Sequence, residues 1–143
     1  MAGASAGRRS GGAPLLVFPA PAYPVSVMEF HGRQDRMIPY DGGAGTGLTN
    51  AVYLPVQETI DLWVSYDGCS QPPTTETSAN GNVIRQAYGG GRDGSEVVLY
   101  TINDGTHSWP GGKTALRSAA MKPTSDISAS QVMWEFFLRH PKP

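Results

Sequence analysis

The stretch Glu96-Val-Val-Leu-Tyr-Thr-Ile102 runs straight into Asn103-Asp-Gly-Thr-His107-Ser-Trp109-Pro-Gly-Gly112, and its reading decides the rest of the chain. The first half is rich in β-branched, aliphatic and aromatic residues and ends at turn formers, so it reads as a buried strand. The second half is a loop at that strand's C-terminal end, with His107 braced by Trp109 and Pro110. An imidazole in that position either turns the chain or meets a substrate.

Upstream, Asn82-Val-Ile-Arg-Gln-Ala-Tyr88 and the glycine-rich Gly89–Gly94 turn make an antiparallel hairpin with this strand. Gln71–Gly81 is polar and rich in Pro and Thr, and reads as a connection. Before it, Pro55 opens a helix in which Val56, Ile60, Trp63 and Val64 recur at helical spacing until Gly68 stops it. Residues 24–30 read as a strand, the loop His31-Gly-Arg-Gln-Asp35 follows, and Ile38–Gly43 and Gly45–Gly47 carry loop signals. Downstream, Ser128-Ala-Ser-Gln131 fits a capping box, and Val132, Met133, Trp134, Phe136 and Phe137 make a densely apolar closing helix that must pack on a sheet. Strands alternating with helices predict an α/β layer with functional groups at the strands' C-terminal ends, where Asp35 and His107 both fall.

At 143 residues, 39% hydrophobic and 16% charged, the chain is long enough for one globular domain. Residues 1–23 differ from residues 24–143: Gly, Ala, Ser and Pro dominate, with Leu15 to Phe18 the apolar part. The start has an arginine pair, a short apolar run and then Ala20-Pro21-Ala22, a faint outline of a signal peptide whose run is short and holds prolines. A net charge of −1 and no basic run longer than Arg8-Arg9 argue against nucleic acid as a partner. No apolar stretch is long enough to span a bilayer, so no membrane partner is expected. The single cysteine, Cys69, excludes an internal disulfide and any cysteine-based metal cluster.

An acid after one strand and a histidine after a later one form the trailing part of the order Ser, Asp, His, in which a carboxylate orients the imidazole that activates a serine. The Gly-x-Ser-x-Gly match is Gly3-Ala4-Ser5-Ala6-Gly7. The segments FHGRQDRMIPYDGG, VQETIDLWVSYDGC, EVVLYTINDGTHSWPGG and DISASQVMWEFFLRHP resemble, in that order, the C-terminal half of the polyhydroxybutyrate depolymerase and feruloyl or acetylxylan esterase-like group of α/β-hydrolases. The resemblance covers residues 24–140 and implies a secreted carboxylic ester hydrolase that needs no cofactor. It makes Asp35 the acid, His107 the base, Ser5 the nucleophile and the Ala6 N–H an oxyanion donor, with Trp109 and Tyr40 at the substrate, a small or polymeric ester. The fold it implies is a truncated α/β-hydrolase-like sheet of about three strands, hairpin included, with two main packing helices.

The chain also departs from that group. Only Met1 and Ala2 precede the Gly3–Gly7 match, and Arg8–Pro14 after it is a poor helix. Relatives carry a cysteine partner for the Cys69 position, expected here near Gly89–Gly91, where there is none. A second reading follows: a catalytically inactive hydrolase fragment acting as an interaction domain, whose open sheet edge is covered by homo-oligomer formation or by the N-terminal segment. A polymer-binding module using Trp109 and Tyr40 is a third. Zinc on His31, Asp35 and His107 is set aside for want of a short-spaced histidine pair, so no metal is expected, and His31 is read as a structural residue at its strand's end.

Overall fold

A computed structural model describes residues 21–46, 51–113 and 121–141. The elements run β1 (Val27–Gly32), β2 (Gly43–Ala44), β3 (Val52–Tyr53), α1 (Val56–Asp67), β4 (Thr74–Thr77), β5 (Val83–Tyr88), β6 (Val97–Ile102) and α2 (Ala129–Arg139). The fold is α/β, with a four-stranded mixed sheet in the order β1-β6-β5-β4. β6 runs parallel to β1, Val27 opposite Val97, and antiparallel to β5, Val83 opposite Ile102.

β6 is buried along its whole length, and its alternate residues serve opposite faces of the sheet. Val97 and Leu99 pack with Val56, Ile60 and Val64 of α1, while Val98, Tyr100 and Ile102 pack with Phe136 of α2. The sheet therefore lies between the two helices, a three-layer arrangement. Fully burying an aliphatic or aromatic side chain of this size is worth about 1.5–3 kcal/mol. Ile60, Leu99 and Phe136, each at 0% exposure, are accordingly the pins of the two interfaces.

The ends of α1 follow from its sequence. Pro55 stands at the N-cap, and Gly68 takes the left-handed conformation (φ 68°) that sends its N–H back to the Val64 carbonyl. At α2, the Ser128 side chain accepts from the Gln131 N–H, but the Gln131 amide donates to Glu135 instead, so the capping box is half made.

The expectation of about three strands needs correction. Thr74–Thr77 adds a fourth strand to the main sheet, inside the segment read as a connection, and pairs antiparallel with β5. All four of its residues are exposed, so no apolar alternation marked it; its β-branched threonines suit an edge strand. β2, among the loop signals, and β3, in a stretch given no element, form a separate two-stranded ribbon. The closing helix also buries less than its composition suggested. Ala129 and Phe136 are its buried residues, while Trp134, Phe137 and Leu138 stand 64%, 53% and 63% exposed.

Cys69 is free and half-buried, and burial, with Asp67 nearby, pushes its thiol up. A Cβ placed on Gly91 would lie 2.8 Å from its Sγ, so the region where the resemblance puts a partner cysteine does lie beside it.

Candidate active site

Two loops leave the C-terminal ends of the parallel neighbours β1 and β6 side by side, and two glycines let them touch. A Cβ on Gly32 would meet the Gly105 carbonyl carbon and oxygen at 2.3 Å, and one on Gly105 would meet the Gly32 Cα at 2.8 Å. Only hydrogen fits in either place. Backbone bonds lace the crossing: Arg33 N–H donates to the Ile102 carbonyl (2.9 Å) and Gln34 N–H to that of Gly105 (2.8 Å). These are the glycines of His31-Gly32-x-x-Asp35 and Gly105-x-His107, so each motif carries its own clearance.

The crossing joins an acid to a base. Asp35 is buried at 8% exposure, and its two oxygens do different work. Oδ1 accepts the N–H groups of Met37 (2.8 Å) and Ile38 (2.9 Å), fixing the turn. Oδ2 lies 2.9 Å from His107 Nδ1. With Nδ1–H given to the carboxylate, Nε2 is left as the basic nitrogen. The His107 side chain is 41% exposed against 7% for Asp35, so a sheltered carboxylate orients an imidazole that solvent or substrate can reach.

The base loop is tied to α2. Trp109 Nε1–H donates to Ser130 Oγ (3.0 Å), the Ala129 N–H donates to the Pro110 carbonyl (3.0 Å), and the Trp109 ring sits 6.0 Å from that of Phe30. Trp109 both pins the loop and borders the cavity, which has a volume of about 290 Å³ and is walled by Phe30, Ile38, Ile102, Thr106, Trp109 and Pro110 around His31, Asp35 and His107.

Tyr40 lies elsewhere. It packs against the α1-side core, its hydroxyl is 2.8 Å from Thr101 Oγ1, and it is not among the cavity's walls. Ser5 and Ala6 lie outside the described residues. Among the described residues no group of three or more His, Cys, Asp or Glu could hold a metal ion.

One residue of the site was read in the sequence as structural only. His31 lines the same cavity, with Nε2 2.8 Å from the Ile38 carbonyl and 3.9 Å from Asp35 Oδ2, and Nδ1 3.3 Å from Glu29 Oε1. Burial lowers its pKa, but the Glu29 carboxylate, the Ile38 carbonyl and Asp35 together outweigh that and raise it above 6.5. The usable sequence signal was the pair of acids at Glu29 and Asp35 around His31.

The chain is 28% identical over 95 residues to a feruloyl esterase B of Piromyces equi. That is an esterase-like relationship. The match takes in 65% of this chain and 17% of the fungal protein, so the chain spans a minor part of that relative's length. No family model matches the chain.

Proposed function

We propose that the protein is a carboxylic ester hydrolase of the polyhydroxybutyrate depolymerase and feruloyl esterase-like group of α/β-hydrolases, acting by acyl transfer with His107 as general base and Asp35 as its orienting acid. The observation that carries this is the 2.9 Å contact between His107 Nδ1 and a buried Asp35 oxygen at the wall of a cavity. The likeness to a fungal feruloyl esterase supports it. In this reading His107 Nε2 takes the proton of a serine hydroxyl as it attacks the ester carbonyl, then returns it to the departing alcohol. Asp35 steadies the imidazolium formed between those steps. Ser5 is the proposed nucleophile and the Ala6 N–H a proposed oxyanion donor. Trp109, half-exposed beside the base, offers an apolar face to the ester. Export from the cell and a polymeric substrate belong to the same proposal.

Hydrolysis of p-nitrophenyl acetate and butyrate, beside His107→Ala and Ser5→Ala, tests it. Turnover that both variants abolish is expected. Turnover unaffected by His107→Ala would end the proposal.

A second reading is favoured by the exposed Trp134, Phe137 and Leu138 of α2: a hydrolase-derived domain that works by association, including with its own copies. Wild-type turnover equal to that of both variants, together with concentration-dependent association, is its expected signature.

A further inference from the structure

The two nitrogens of His31 both face oxygen. Nε2 is 2.8 Å from a backbone carbonyl, which can only accept, so that nitrogen carries a proton. Nδ1 faces the Glu29 carboxylate at 3.3 Å, which when ionised also only accepts. A neutral imidazole has one N–H and would leave one of these contacts lone pair against lone pair; an imidazolium satisfies both. Its side chain is 10% exposed, so water is poorly placed to make up the difference.

Among the described residues, the charged and titratable groups against this ring are Glu29 from β1, Asp35 from the loop after it, and Tyr40, whose ring meets the imidazole edge-on at 5.6 Å. The Arg33 guanidinium lies over that Tyr40 ring, 4.9 Å from its centre. His31 Nε2 stands 3.9 Å from Asp35 Oδ2, the oxygen that holds His107, while its proton is committed to Ile38, whose own N–H binds Asp35 Oδ1. The same ring therefore grips the acid's turn through hydrogen bonds and its outer oxygen through charge.

We propose that His31 is a positioning residue for His107: held as an imidazolium between Glu29 and the Ile38 carbonyl, it fixes the Asp35 carboxylate, so that the base is aligned only while His31 keeps both its protons. This rests on the reading of Asp35 and His107 as a catalytic pair. It predicts a site that loses alignment on the alkaline side as His31 sheds its second proton. Glu29 sets where that happens through its contact with His31 Nδ1.

The test combines ring ¹⁵N–¹H spectra with kinetics on wild type, Glu29→Gln and His31→Gln, and the chain's three histidines keep the spectra simple. In wild type, the imidazolium pattern of His31 should persist above pH 6.5, the ordinary histidine value. In Glu29→Gln its midpoint should fall toward that value, and the low-field Nδ1 proton of His107 should fade over the same lower range. The alkaline limb of kcat/KM should move down with it, while His31→Gln lowers kcat by roughly tenfold to a hundredfold with KM little changed. A His31 carrying one proton at pH 6.5, or a His107 proton signal indifferent to both substitutions, overturns the proposal. Glu29→Gln keeps the test open if His31→Gln fails to fold. If wild type shows no esterase turnover while the spectra behave as expected, the esterase reading fails and the positioning role stands.

Discussion

Replacing Gly32 with alanine puts the contact between the two loops under direct strain. The new Cβ would start 2.3 Å from the Gly105 carbonyl carbon and oxygen, where ordinary contact begins at 3.4 Å, so the backbones must part by about 3.4 − 2.3 = 1.1 Å along that line. Both neighbours are backbone atoms and cannot swing aside. Overpacking of this kind costs about 1–3 kcal/mol, and at roughly 2–4 °C of Tm per kcal/mol a 2 kcal/mol loss lowers Tm by roughly 4–8 °C. The same displacement acts on the 2.9 Å pairing of His107 with Asp35, since the Gln34 N–H to Gly105 carbonyl bond lies beside the crossing. A misplacement near 1 Å can cost about a hundredfold in rate. Differential scanning calorimetry and p-nitrophenyl butyrate hydrolysis read the two effects, with Gly89→Ala as control because a Cβ there meets nothing within 4 Å. If Gly32→Ala matched the Gly89→Ala control in both Tm and rate, the clearance argument would be refuted.

Phe136→Ala should cost about 3–5 kcal/mol in guanidinium unfolding, since this ring is fully buried, whereas Leu138→Ala, at 63% exposure, should stay within about 0.5 kcal/mol. Equal effects would mean α2 is not docked through Phe136. Burial raises the Asp67 carboxyl above 3.8, against the pull of the Val25 N–H and Arg92. The folded state thus binds that proton more tightly than the unfolded chain, and the stability this gives is complete below 3.8 and lost as pH rises through the raised value. Thermal unfolding followed upward from about pH 4 should therefore show wild type losing ground to Asp67→Asn, and parallel curves would contradict the assignment.

Much of the scaffold was legible because burial wrote itself into residue pattern. β6 and its hairpin partner announce themselves by apolar content, and α1 by its spacing between Pro55 and a left-handed Gly68. β4 was hidden for the converse reason: an edge strand exposed on both faces has no apolar period to display. The closing helix misled in the other direction, since its apolar density suggested burial that only Ala129 and Phe136 attain. At the site, Asp35 is both a backbone-binding turn residue and a histidine's partner, one oxygen for each. No one-dimensional pattern distinguishes those roles. Tyr40 shows the limit of placing a side chain by proximity in sequence: five residues after Asp35, it turns to Thr101 and the core instead of the cavity.

The two ends of the sheet are chemically unlike. At one, Thr74–Thr77 is short and polar, and its Glu76 is within 3.4 Å of Arg85. At the other, β1 is a longer run, Val27–Gly32, and among the described residues no strand pairs with its outer side. Among the described residues, then, the sheet has one long open rim, a single valence. If two copies joined strand to strand through β1, each would spend its longer open rim and turn its short hydrophilic rim outward, so assembly would terminate at a closed pair instead of propagating as a fibre.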